Sequence, residues 1–161
     1  MSTSSQSERL RKKLHLKEYL GELGRLLGRV VQEEELGSLA QVTTIRAAAL
    51  KFDTQPAISH DIPFTERKSD RFVRFIQCLS EANPSHVYVW TPRTILCGVI
   101  LVPSLNAIKL DFDFDINHEG VLVFLTSDLS DRLLLDFSTT DMNEQRLNIE
   151  LQGRYWSRVS Y

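Results

Sequence analysis

The densest group of ionisable side chains is Asp111-Phe-Asp-Phe-Asp-Ile-Asn-His-Glu119. Side chains of an extended strand point to opposite faces in turn. Asp111, Asp113 and Asp115 then fall on one face, and Phe112, Phe114 and Ile116 on the other. Carboxylates about 7 Å apart along a strand repel one another, a cost that solvent or a cationic partner relieves. The pattern predicts an acidic stripe over a Phe-rich core, closed by Glu119. A calcium loop would need Gly at its sixth position and a bidentate Glu at its twelfth. The chain has Ile116 and Leu122 there, so that template fails. Magnesium could use two of these carboxylates with a substrate phosphate, but no phosphate-binding loop accompanies them.

Other reactive types are scattered. His15, His60, His86 and His118 lie far apart in the chain, and adjacency of His60 to Asp61 or His118 to Glu119 makes no dyad, because strand neighbours face opposite ways. No Gly-x-Ser-x-Gly elbow is present. Cys78 and Cys97 cannot build a disulfide framework or a four-ligand zinc site; each reads as a small buried hydrophobe, Cys97 in an apolar strand and Cys78 in or beside the apolar face of a helix. The expectation is therefore no catalytic set, no metal and no cofactor. Tyr88 and Trp90 share one strand face. Tyr155, Trp156 and Tyr161 gather near the end of the sequence beside Arg154 and Arg158. Trp, Tyr and Arg most often anchor protein interfaces, which makes Trp90 and Trp156 candidate anchors next to the acidic stripe. Arg beside aromatics could also stack unpaired bases, but the surrounding half of the chain is acidic.

The elements that must position these groups divide near residue 83. Residues 1–7 are polar and expected to be mobile. From Glu8, apolar residues recur at spacings of three and four as far as Val31, interrupted by Gly21, Gly24 and Gly28, with Glu33–Glu35 closing the helix. The glycines predict either a break or a small-residue strip for close packing. Residues 41–52 lean towards strand because of Val42, Thr43, Thr44 and Ile45, with helix left open by Ala47-Ala48-Ala49-Leu50, and residues 55–63, bounded by prolines, lean towards loop. A helix begins at Thr65, capped by Thr65 or Ser69, and ends at Asn83-Pro84. Beyond Pro84, short Val-, Ile-, Leu- and Phe-rich runs at 87–90, 94–102, 107–116, 120–126, 132–138 and 146–156 alternate with turn signals. The fold class is α+β: N-terminal helices packed on a mainly antiparallel sheet of five to six strands, forming one domain over 8–161 with helices mainly in 8–82 and the sheet in 84–161.

With 161 residues, the chain suits one domain. Nineteen Lys and Arg against 21 Asp and Glu give a net charge of −2, which leaves no broad basic field for nucleic acid. Residues 1–82 carry +2 and residues 83–161 carry −4. No apolar run is long enough to span a membrane, and the polar start holds no apolar signal segment; a cytoplasmic location is expected. The acidic DFDFD segment and the Trp-bearing ELQGRYW segment, within residues 84–161, resemble the small α+β immunity proteins that bacteria pair with nuclease-type toxins of contact-dependent systems. That resemblance implies a tight complex covering a cationic toxin surface, without turnover. The charge pattern of this sequence then sets Asp111, Asp113, Asp115 and Glu119 against the basic partner, with Trp90 and Trp156 as apolar anchors. Two other classes remain open from the residues: a subunit or adaptor docking through the first helix, self-association included, and an enzyme with an Asp-based metal site.

Overall fold

The computed structural model describes residues 3–161. Helix α1 runs over Thr3–Leu27, so Thr3–Ser7 belong to it rather than to a separate polar lead; residues 1 and 2 of that lead lie outside the described residues. Tyr19, Leu23 and Leu26 recur at three and four residues and are at most 1% exposed, which fixes the inward face of the helix. The helix stops earlier than the apolar pattern suggested. Gly28 takes φ 66°, and the Arg29 N–H donates to the Gly24 carbonyl at 3.2 Å, a left-handed cap that leaves Val30 outside and exposed. Glu33–Glu35 form a separate 3-10 turn.

Residues 41–52 are not a strand. Helix α2 spans Leu39–Ala49, and a 3-10 turn continues over Leu50–Thr54. The Ser38 hydroxyl accepts from the Gln41 N–H at 3.1 Å, and Val42 and Ile45 are buried three residues apart. Cap and burial thus outweigh the β preference of the Val-Thr-Thr-Ile run. Helix α3 covers Asp70–Ala82, capped by Ser69; residues Phe64–Lys68 before it form a 3-10 turn rather than its first turn. The apolar run 94–102 also divides, into the short helix α4 (Thr94–Cys97) and a strand at Ile100–Val102. Gly98 separates them with φ 115°; a Cβ there would meet the Gly37 carbonyl at 2.4 Å. Cys97 is buried in α4, whereas Cys78 is exposed, contrary to its expected burial.

The sheet has six strands: β1 (Ile58–Pro63), β2 (Val87–Trp90), β3 (Ile100–Val102), β4 (Val121–Thr126), β5 (Asp131–Thr139) and β6 (Gln145–Gly153). Their order is β1-β6-β5-β4-β2-β3, and every neighbouring pair is antiparallel. The fold is α+β. β1 occupies the segment read as a loop. Its Pro63 is tolerated because β1 is an edge strand, with no neighbour on one side to need the missing donor. The register sets Leu122, Leu135 and Ile149 in one row across the sheet, and this face joins α1 and α3 in the main core. A smaller core lies on the other face, where Val42, Ile45 and Phe52 meet Val99 and Leu125.

Candidate functional site

The segment read as an acidic strand pairs with no neighbour. Residues 108–120 follow a 3-10 turn at Leu105–Ala107 and contain no strand. Its period of two in exposure survives nonetheless: Asp111, Asp113 and Asp115 are exposed, while Phe112 and Ile116 are buried and Phe114 is half-buried. The alternation arises from apolar anchoring, not from a hydrogen-bonded ladder. The Phe112 ring stacks on Phe137 at 5.5 Å between centroids, and Phe114 meets Phe64 edge-on at 5.1 Å. The segment thereby covers the helical side of the sheet.

Polar bonds fix it further. The Arg67 guanidinium donates to the Phe112 carbonyl at 2.6 Å and to the Phe64 carbonyl at 3.1 Å and lies 4.0 Å from the Phe64 ring centroid. Burial pushes the Arg67 guanidinium below its ordinary pKa, and the charges of Asp113 and Asp111 pull it back up. At the other end, the buried Asn117 side chain accepts from the N–H groups of Glu119 and Gly120 and donates to the Val121 carbonyl at 2.8 Å. The Lys109 N–H closes the start by donating to the last turn of α1, at the Leu26 carbonyl (2.7 Å). Four exposed carboxylates, those of Asp111, Asp113, Asp115 and Glu119, therefore sit on a loop held at both ends and in the middle.

Between this loop and α1 lies an open cleft of about 610 Å³, lined by Glu22, Arg93, Asp115 and His118 among others. Glu22 is 5% exposed. It pairs through Oε1 with Arg93, which also holds Glu18. Glu22 Oε2 and Arg93 Nε are covered and have no hydrogen-bond partner among the described residues. Burial raises the Glu22 pKa, opposed by the charges of Arg93, His118 and Arg25. Nearby, the buried Tyr19 hydroxyl bonds Thr94 Oγ1 at 3.0 Å and donates to the Gly98 carbonyl at 2.7 Å; burial raises its pKa as well. Among the described residues no group of three or more His, Cys, Asp or Glu is placed to hold a metal ion.

The expected site residues do not converge on one surface. The two tryptophans separate from the acidic loop. Trp156 is fully buried, its Nε1 donating to the Leu79 carbonyl at 2.9 Å, and so is no anchor for a partner. Trp90 is half-buried on the opposite sheet face, in a cleft of about 260 Å³ with Arg46, Asp53 and Arg132. Of the histidines, His118 is exposed on the acidic loop and His60 faces Tyr161 from β1, 5.7 Å between rings. Sequence reasoning missed Glu22 and Arg93. The signal was present: Glu22 stands three residues after Tyr19 and four before Leu26, a charged residue within the inward-facing spacing of α1. Compared with known proteins, the chain matches no protein-family model, no curated protein and no solved structure.

Proposed function

We propose that the protein is a non-enzymatic binding domain that docks a protein with a basic surface, in the manner of an immunity protein covering a cationic toxin, through Asp111, Asp113, Asp115 and Glu119. The observation that carries this reading is the combination of exposure and anchoring: the carboxylates face solvent while Phe112 and Ile116 sit in the main core and Phe114 packs against it. A rigid charged row loses little conformational entropy on docking, which favours affinity. Its field accelerates encounter with a cation-rich surface and rejects acidic competitors. On this reading the complex forms in the cytoplasm, and no described helix is long and apolar enough to cross a membrane.

Capture from source cells, followed by reconstitution from purified components, tests the reading. The captured partner should be basic, and the paired substitution Asp113→Lys with Asp115→Lys should weaken the reconstituted complex while leaving the circular dichroism spectrum that of the folded chain. An acidic partner, or a basic one bound equally well by the reversed protein, contradicts it.

A further inference from the structure

We propose that the outer half of α1 seats the domain on an anionic membrane surface, Leu10 and Leu14 entering the interface between basic side chains that hold the lipid phosphates. Residues 9–17 carry Arg9, Arg11, Lys12, Lys13 and Lys17 and no acid. Lys12 pairs with Glu33 at 3.6 Å; the other four are in no ion pair among the described residues. Residues 6–11 are all exposed, a stretch longer than one turn, so every side of the helix there is in solvent. Leu10 and Leu14 are 63% and 77% exposed. Leu10 stands about 180° round the helix axis from Tyr19, and Leu14 about 40° from Leu10. Both leucines thus point away from the core that Tyr19, Leu23 and Leu26 enter. Lys13 and Lys17 flank them on one side and Arg11 on the other.

Charge and apolarity together select the lipid. A bilayer of anionic lipids offers phosphates with an apolar layer directly beneath them, and binding to it grows with the apolar area buried and with the number of basic residues at the surface. Nucleic acid would use the basic residues but leave both leucines in water. A protein groove that takes a helix needs apolar anchors near i, i+4 and i+7. Counted from Leu10, these positions hold Leu14 and then Lys17, so the third anchor is a charge. Of the unpaired cations only Lys17 borders the cleft that Asp115 shares. The others stand towards the start of the helix, clear of the acidic loop. No described helix is long and apolar enough to cross a membrane, so α1 lies on the surface. The observations belong to α1, and the inference stands apart from the reading of the acidic loop.

Co-sedimentation of the full chain with vesicles tests it, using phosphatidylcholine alone and phosphatidylcholine with about 30% phosphatidylserine. The chain should bind the mixed vesicles at least about tenfold more tightly than the neutral ones, and more weakly as salt is raised. Arg11→Gln with Lys13→Gln should weaken that binding about 25-fold, the product of a roughly fivefold loss for each charge. Leu10→Gln with Leu14→Gln leaves every charge in place and should weaken it at least about fivefold. These positions are exposed, so both proteins should keep the circular dichroism of the wild type. A chain that stays in solution with the mixed vesicles overturns the proposal. So does vesicle binding indifferent to the leucine change, or binding of duplex DNA in place of the vesicles.

Discussion

Among the described residues Glu22 has one oxygen on Arg93 and no partner for the other, which is covered from solvent. An acid in that position is protonated more readily when folded than when unfolded, because burial disfavours its charged form. The sign of the consequence is fixed by linkage. The folded chain holds the extra proton in the window between the ordinary carboxylate value and the raised one, so this group's contribution to stability is present at the acid end and is lost as pH rises through the window. Glu22→Gln, which keeps the bond to Arg93 and cannot ionise, should remove that part of the pH dependence. Urea unfolding of both proteins from about pH 4 to 7 is the check. Parallel stability profiles would refute the assignment. Asp131 contrasts with Glu22: fully buried too, it accepts from Asn83 at 2.7 Å and from the N–H groups of Tyr155 and Trp156 at 2.8 and 2.9 Å. Its carboxylate is consumed by the fold; that of Glu22 is only half used.

At the level of elements, the loop at 108–120 depends on Arg67 from the turn ahead of α3. Arg67→Met keeps much of the stem against Phe64 but strands the buried carbonyls of Phe112 and Phe64. The expected cost is about 2 kcal/mol, with faster amide exchange across residues 111–119; unaltered exchange there would mean that Phe112 and Phe114 suffice. The same loop marks where sequence reasoning stopped. Alternation of Asp and Phe correctly separates exposed from buried side chains, yet it carries no information on whether the backbone finds a neighbouring strand. Here the backbone bonds are taken by Arg67 and the end of α1. Strands β4, β5 and β6 were legible because each pairs with its neighbour in the chain along a meander, where the period of two and the turn signals agree; β2 was legible from its own Val-Tyr-Val-Trp run between turn signals. β1 was not, since its partner β6 lies some 90 residues further along the chain and its prolines imitate a loop. α2 was misread because its burial against the second-face core is a tertiary fact, while the local signal of the Ser38 cap was outweighed by the β preference of the Val-Thr-Thr-Ile run. Trp156 had no local signature of burial, because what covers it is α3.

For the whole molecule, the sheet divides labour between its faces. One is sealed by α1, α3 and the anchored loop; α2 covers only part of the other, leaving Trp90 at the edge of a shallow cleft. The acidic loop and α1 meet around the cleft at Glu22 and Asp115, so the exposed carboxylates and the half-used Glu22 lie on one side of the domain. The four exposed carboxylates are too dispersed for a chelate among the described residues, and titration with magnesium, manganese or calcium should leave the unfolding temperature in place. A cation binding only the folded state would instead add about 2.7 kcal/mol at 100 times its dissociation constant, and such a rise would return the loop to metal chemistry. The central claim is that an immobilised acidic row steers a basic protein onto the domain. Stopped-flow association of the reconstituted partner with wild type and with the Asp111→Lys, Asp113→Lys, Asp115→Lys protein, at about 0.05 and 0.5 M salt, addresses it directly. The account predicts an association rate at least tenfold lower for the reversed protein at low salt, with the difference shrinking at high salt; equal rates at both salt concentrations would contradict it.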